Sequence, residues 1–194
     1  MTTHSNILPD LSDAKVTIGS ATAYSFRFKH GWAIFTIHDG TGEFHVQSDW
    51  GNYQYRWNIN HLGDPTLTIF LAHMEDADYV ANKLHYDCAQ EREEFDEEAT
   101  KRDLRHRVGE KYAESGMSVE EARELLSMLD DLDWNDGDTF VQSFYDGPEE
   151  LRKLTEEPYE WARHRPTARY TILTKALLPF FFDYLRREVV KVAA

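Results

Sequence analysis

The segment Trp32-Ala33-Ile34-Phe35-Thr36-Ile37-His38-Asp39-Gly40-Thr41-Gly42-Glu43-Phe44-His45-Val46-Gln47-Ser48-Asp49-Trp50-Gly51-Asn52-Tyr53-Gln54-Tyr55-Arg56-Trp57 alternates apolar and polar side chains with the period of a half-buried strand. Asp39-Gly40-Thr41-Gly42 supplies a four-residue hairpin loop, and Gly51-Asn52 fits a two-residue turn. The first loop pairs His38 with Glu43, Ile37 with Phe44 and Phe35 with Val46. The second is expected to pair Trp50 with Tyr53, Ser48 with Tyr55 and Val46 with Trp57. One face then carries Ala33, Phe35, Ile37, Phe44, Val46, Trp50, Tyr53, Tyr55 and Trp57. The other carries Thr36, His38, Glu43, His45, Gln47, Asp49, Gln54, Arg56 and Asn58. A split of this kind is what a sheet with one covered face requires.

Working outward, Tyr24, Phe26 and Phe28 alternate with Ser25, Arg27 and Lys29 ahead of a turn at Gly31, and residues 15–20 alternate weakly. After residue 62 the period changes. Asp64-Pro65 offers an N-cap and a first-turn proline for a helix over 66–72. Residues 78–84 suit a short helix, and Asp96 caps a longer one through Tyr112, closed near Gly116. Ser118-Val119-Glu120-Glu121 is a capping box opening a helix to about Leu129, with Ala122, Leu125, Leu126 and Leu129 on one face. Short helices are expected over 138–145 and 148–154, and a longer one over 167–192 bent at Pro179. Strands first and helices afterwards predict an α+β fold: an N-terminal antiparallel meander of four to five strands over residues 1–62, one face covered, and a mostly helical part over 63–194 packing on it.

The 194 residues carry 35 Asp+Glu against 21 Lys+Arg, a formal charge of −14. With 41% hydrophobic and 13% aromatic residues the chain can form a core, which excludes disorder throughout. The longest apolar run, Ala176-Leu177-Leu178-Pro179-Phe180-Phe181-Phe182, is too short for a membrane span. Cys88 is the single cysteine, and Met1-Thr2-Thr3-His4-Ser5-Asn6 lacks the pattern of a signal peptide. These features point to a cytoplasmic protein. The charge is uneven: −1 over residues 1–62, −17 over 63–150 and +4 over 151–194. From 117 to 150 there are 11 acidic residues and one basic residue, Arg123.

Sequence motifs give little support to catalysis. His38, Glu43 and His45 share the polar sheet face and resemble a non-haem metal site in ligand type, while a solvated sheet surface accounts for the same residues. Asp130-Asp131-Leu132-Asp133-Trp134-Asn135-Asp136-Gly137-Asp138 departs from a calcium loop: glycine stands one residue late, and Gln142 occupies the twelfth position. There is no Gly-x-Ser-x-Gly elbow, phosphate-binding loop or dinucleotide fingerprint. Cys88 has acidic neighbours that suppress thiolate formation. The expectation is a protein that is not an enzyme and uses no cofactor or metal, with a metal-dependent enzyme on His38, Glu43 and His45 as the alternative.

The acidic middle then becomes the candidate functional feature. Glu114, Glu120, Glu121, Glu124, Asp130, Asp131, Asp133, Asp136 and Asp138 could present carboxylates as densely as DNA, which carries one charge per about 1.7 Å of duplex axis. Such a surface attracts Lys/Arg-lined grooves and opposes direct nucleic-acid binding. A solvated face is the plainer use of the same charges. Arg152, Lys153, Arg163, Arg165, Arg169 and Lys175 can form a basic patch or pair with the acidic middle. The hairpin tip, with Asp49, Trp50 and Tyr53, is a second candidate anchor. The apolar run around Leu177, Phe180 and Phe181 reads first as core, with homo-oligomerisation or phage assembly as alternatives.

The segments Phe35-Thr36-Ile37-His38-Asp39-Gly40-Thr41-Gly42-Glu43-Phe44, Ser48-Asp49-Trp50-Gly51-Asn52-Tyr53-Gln54-Tyr55-Arg56-Trp57 and Gly63-Asp64-Pro65-Thr66-Leu67-Thr68, continuing to Tyr79 and Lys83, resemble small proteins encoded by bacteriophages and prophages. The likeness covers roughly residues 33–85 and carries over no catalytic residue. It implies an accessory phage protein acting in a bacterial host cytoplasm. By analogy, such a protein would inhibit host defence, as anti-CRISPR proteins do. Its expected partner is a nucleic-acid-binding host defence complex, held through that complex's basic groove.

Overall fold

The computed structural model describes residues 19–86, 88 and 91–193. The weakly alternating stretch 15–20 lies largely outside them. The chain forms two compact units, one up to residue 87 and again from Pro179, the other over 88–178.

The first unit is built on a four-stranded antiparallel sheet, β1 (Thr22–Phe28), β2 (Gly31–His38), β3 (Glu43–Ser48) and β4 (Gly51–Arg56), in the order β1-β2-β3-β4. The β2–β3 register pairs His38 with Glu43 and Phe35 with Val46, as the loop length required. The next hairpin differs from expectation. Ser48 pairs with Gly51 and Val46 with Tyr53, so the turn is Asp49-Trp50 rather than Gly51-Asn52. Side-chain chemistry decides this. Ser48 Oγ accepts from the Trp50 N–H at 3.2 Å and donates to the Gly51 carbonyl at 3.0 Å, while the Asp49 carboxylate accepts the Trp32 N–H at 3.0 Å. Because the register moves by an even number of residues, side chains keep their faces. Ala33, Phe35, Ile37, Phe44, Val46, Tyr53 and Trp57 are buried as expected, and Ser48 takes the inward position assigned to Trp50.

Helices α1 (Leu67–His73) and α2 (Ala77–His85) pack on β2 and β4. Thr66, not Asp64, caps α1; Asp64 instead lies 3.0 Å from His73 Nδ1. The middle of the covered face is filled from the far end of the chain by α8 (Leu178–Ala193). The Phe181 ring stacks on Phe35 at 4.1 Å and 4° and lies parallel to Phe44 at 5.7 Å. Phe26 meets Phe180 and Tyr184 edge-on, each at 5.1 Å. Phe181 is therefore buried, while Phe180 is 37% exposed; Leu177, in the second unit, is 4% exposed.

The second unit contains α3 (Glu97–Ser115), α4 (Val119–Asp130), α5 (Gly137–Asp146), α6 (Glu149–Arg152) and α7 (Ala168–Ile172). Their caps follow the sequence: Asp96 opens α3, Gly116 in the left-handed conformation closes it, and Ser118 with Glu121 forms the capping box of α4. The amphipathic faces join Leu104, Val108, Leu125, Leu129, Phe140, Phe144, Leu151 and Leu154 into one core. A small antiparallel pair, β5 (Glu93–Phe95) with β6 (His164–Pro166), was not anticipated. It delivers Phe95 onto Phe140 at 5.7 Å, beside the Trp134 ring.

Ahead of Pro179, where the sequence predicts a bend, the backbone makes a π-turn over Leu173–Leu177, in which the Leu178 N–H reaches back to the Leu173 carbonyl. Proline has no N–H and crowds the carbonyl four residues earlier, so widening the preceding turn relieves the clash.

Candidate partner-binding surface

The acidic surface is built by three local devices. Helix α4 begins at a capping box, the connection after it is held by Asx-type hydrogen bonds, and α5 starts at a second cap. All nine predicted carboxylates, Glu114, Glu120, Glu121, Glu124, Asp130, Asp131, Asp133, Asp136 and Asp138, are exposed.

Their hydrogen bonds divide them. Glu121 accepts from the Ser118 N–H and hydroxyl, both at 2.8 Å, and these bonds hold its carboxyl below the usual glutamate range. Asp136 accepts the Thr139 N–H at 2.8 Å, which lowers its carboxyl in the same way. Asp133 accepts the Asn135 N–H at 3.1 Å, and Asp130 pairs with Arg105 at 2.7 Å. The carboxylates of Glu114, Glu120, Glu124, Asp131 and Asp138 make no hydrogen bond or ion pair among the described residues. Four of the nine therefore serve the fold, and five face outward without an internal partner.

Helix α6, packed on α4, adds Glu149 and Glu150 to this surface. A shallow groove of about 380 Å³ lies where they meet, with Met117, Leu125 and Met128 along it and Glu121, Glu124, Glu150 and Lys153 around it. The charge count across 117–150 already contained Glu149 and Glu150. Their place beside α4 depends on tertiary packing that the periodicity of α4 does not encode.

The basic residues of 151–175 show internal pairing. Arg163 meets Asp103 and Arg165 meets Glu94, each at 2.8 Å, and Arg152 donates to the Tyr145 carbonyl at 3.1 Å. Lys153 also lowers Glu121 through its charge.

At the hairpin tip, Asp49 is engaged by the Trp32 N–H. Trp50 is half-buried against Phe28, with its ring close over Gly31, where an added Cβ would lie 2.6 Å from Trp50 Cη2. Tyr53 is 4% exposed, and its hydroxyl donates to the Trp50 carbonyl at 3.3 Å. Asp49 and Trp50 remain at the surface, while the Tyr53 ring is spent inside the unit.

On the polar sheet face the His38 and His45 rings stand 6.1 Å apart and tilted, and Glu43 lies 3.9 Å from Arg56 Nε. Among the described residues no group of three or more His, Cys, Asp or Glu side chains is arranged to hold a metal ion. Nor is any of their helices long and apolar enough to cross a membrane.

The model of a phage family matches the chain over residues 15–187. No curated protein and no solved structure matches the chain.

Proposed function

This chain belongs to the phage family Phage_phiTE_072, and from that membership we propose that it is a non-enzymatic inhibitor of a bacterial defence nucleoprotein complex, anti-CRISPR-like in action. It works in the host cytoplasm by competing with nucleic acid for a basic groove. The observation that carries this reading is the set of five exposed carboxylates without a partner among the described residues, four of them in the stretch 117–150, where Arg123 is the single cation. A carboxylate that caps a helix or pairs with arginine has a structural reason to be present. Glu114, Glu124 and Asp131 have none among the described residues, and Glu120 and Asp138 have only the favourable place of an acid in the first turn of a helix. At an interface with a Lys/Arg-lined groove, each would replace a phosphate contact, and the summed field would speed encounter in a salt-sensitive way.

The test is capture and competition. Immobilised protein should retain a nucleic-acid-processing complex from lysates of defence-competent bacteria, and duplex DNA or raised salt should release it. Reversing Glu120, Glu124, Asp131 and Asp138 to lysine should abolish both capture and inhibition while leaving the fold intact. Retained inhibition by that variant would sink the reading. Retention of a partner through high salt and added DNA would move the contact to an apolar or sheet surface.

A further inference from the structure

The groove between α4 and α6 narrows what a partner can present. It lies within the second unit and has a volume of about 380 Å³. Glu121, Glu124, Leu125 and Met128 follow one another at helical spacing, so a single face of α4 supplies all four to it. Met117 comes from the turn ahead of the Ser118 cap, and Glu150 and Lys153 come from α6 and its C-terminal cap.

Two properties meet in this lining. Leu125 is 4% exposed, and Met117 and Met128 are half-buried against the core of the unit, which gives the groove an apolar strip. Glu124 and Glu150 stand exposed on different helices, and their carboxylates make no hydrogen bond or ion pair among the described residues. Glu121 is engaged by Ser118 and feels the charge of Lys153. Lys153 is the one cation of the lining, so two carboxylates are left in surplus.

That surplus repels an anion. A purely apolar side chain would cover the carboxylates without pairing them, at a desolvation cost. A long cationic side chain meets both properties, with its methylene stem on the apolar strip and its charged head at the rim. Arginine suits the groove better than lysine. Its guanidinium is more weakly hydrated, and its planar fork of N–H groups can serve carboxylates on two sides, whereas an ammonium is a compact, strongly hydrated point charge. Methionine, unbranched and polarisable, adapts to the shape of what covers it.

We propose that this groove seats an arginine side chain of the partner protein, its stem against Met117, Leu125 and Met128 and its guanidinium at Glu124 and Glu150. That arginine belongs to the basic groove of the inhibitor reading above, on which this assignment rests, and it adds one anchored contact to a diffuse attraction.

The chain has four methionines, Met1, Met74, Met117 and Met128, and their methyl signals in a carbon–proton correlation spectrum are direct reporters. Met117→Leu and Met128→Leu assign two of them, and Met74, in the first unit, is the internal control. Acetyl-arginine amide and acetyl-lysine amide are titrated separately into the whole chain, with sodium chloride at matched ionic strength as a further control. The arginine amide is expected to shift the Met117 and Met128 signals saturably with Met74 unmoved, and the lysine amide to bind at least about threefold more weakly. Glu124→Gln combined with Glu150→Gln keeps both side-chain lengths and should weaken arginine binding about fivefold or more. Absence of a saturable shift overturns the assignment. So do chloride reproducing the shift, equal binding of the two amides, or a double variant that binds like the parent. Capture of a nucleoprotein complex without the arginine shift would keep the inhibitor reading and remove the arginine seat, whereas the shift without capture would keep the seat and remove that reading.

Discussion

Replacing Phe181 by alanine tests how the sheet is covered. Its side chain is fully buried, stacked on Phe35 and parallel to Phe44, with Tyr24 edge-on at 5.3 Å. Burial of a phenylalanine lost to a cavity costs about 3–5 kcal/mol, and the parallel stack at 4.1 Å places this site toward the upper end. Phe180, one residue away, is 37% exposed and among the described residues meets the rings of Phe26 and Phe28 alone. Its truncation should cost about 1–2 kcal/mol, in proportion to the smaller area withdrawn from water. For a chain of this length, 4 kcal/mol lowers the melting midpoint by about 8–16 °C, and 1–2 kcal/mol by a few degrees. Calorimetry on both variants reads the difference. If Phe181→Ala were no more destabilising than Phe180→Ala, α8 would not be the element that covers the sheet. The same pair addresses self-association. Should Phe180 mediate an oligomer, Phe180→Ala alone would lower the mass found by light scattering.

Three further outcomes follow from the same contacts. The carboxylates of Glu120, Glu124, Asp131 and Asp138 make no hydrogen bond or ion pair among the described residues, and Glu120 and Asp138 stand in the first turns of α4 and α5, so their combined reversal to lysine should cost about 1–2 kcal/mol at those helix starts and lower the melting midpoint by only a few degrees, measured by calorimetry. Gly42→Ala should destabilise by more than about 2 kcal/mol in urea unfolding, because φ +76 is strained for an L-residue and the new Cβ meets a backbone oxygen. Glu121 and Asp136 are held below their ordinary values of 4.5 and 3.8 by the bonds they accept at helix starts. Depressed folded values mean that their stabilisation is full above those ordinary values and is lost as pH falls through the lower folded ones. Glu121→Gln should therefore flatten the acid limb of midpoint against pH below about 4.5, and parallel curves for parent and variant would refute this.

Legibility of the fold followed the range of the forces involved. Alternation over 32–57 placed the strand side chains on their correct faces, Trp50 and Asp49 of the turn excepted, because face depends only on parity along a strand. It misplaced the second turn by an even number of residues, because the turn is chosen by Ser48 and Asp49 hydrogen bonds that a glycine-asparagine pair in the sequence outweighs on paper. Helix caps at Asp96, Ser118 and Gly116 were readable since each acts within one turn. The cap at Thr66 was obscured by the neighbouring Asp64-Pro65. Strands β5 and β6, three residues each and separated by some seventy, carry no period long enough to detect. The return of Phe181 to the sheet is likewise a contact that only tertiary packing specifies.

The candidate surface divides along the same line. Sequence gave the density of carboxylates over 117–150 but treated them as equivalent. The structure separates those that cap helices or meet arginine from those that do neither. That separation changes the argument about function. Density alone is explained by solvation, since any acidic chain must place its charges outward. Capping, turn bonding and pairing account for Glu121, Asp136, Asp133 and Asp130, and the unpartnered remainder repels itself at a cost to the folded state. Such charge keeps the surface solvated, and under the proposed function it also draws a Lys/Arg-lined groove. The inhibitor reading therefore rests on Glu114, Glu120, Glu124, Asp131 and Asp138 rather than on net charge, and those residues can be altered without touching a cap or an ion pair.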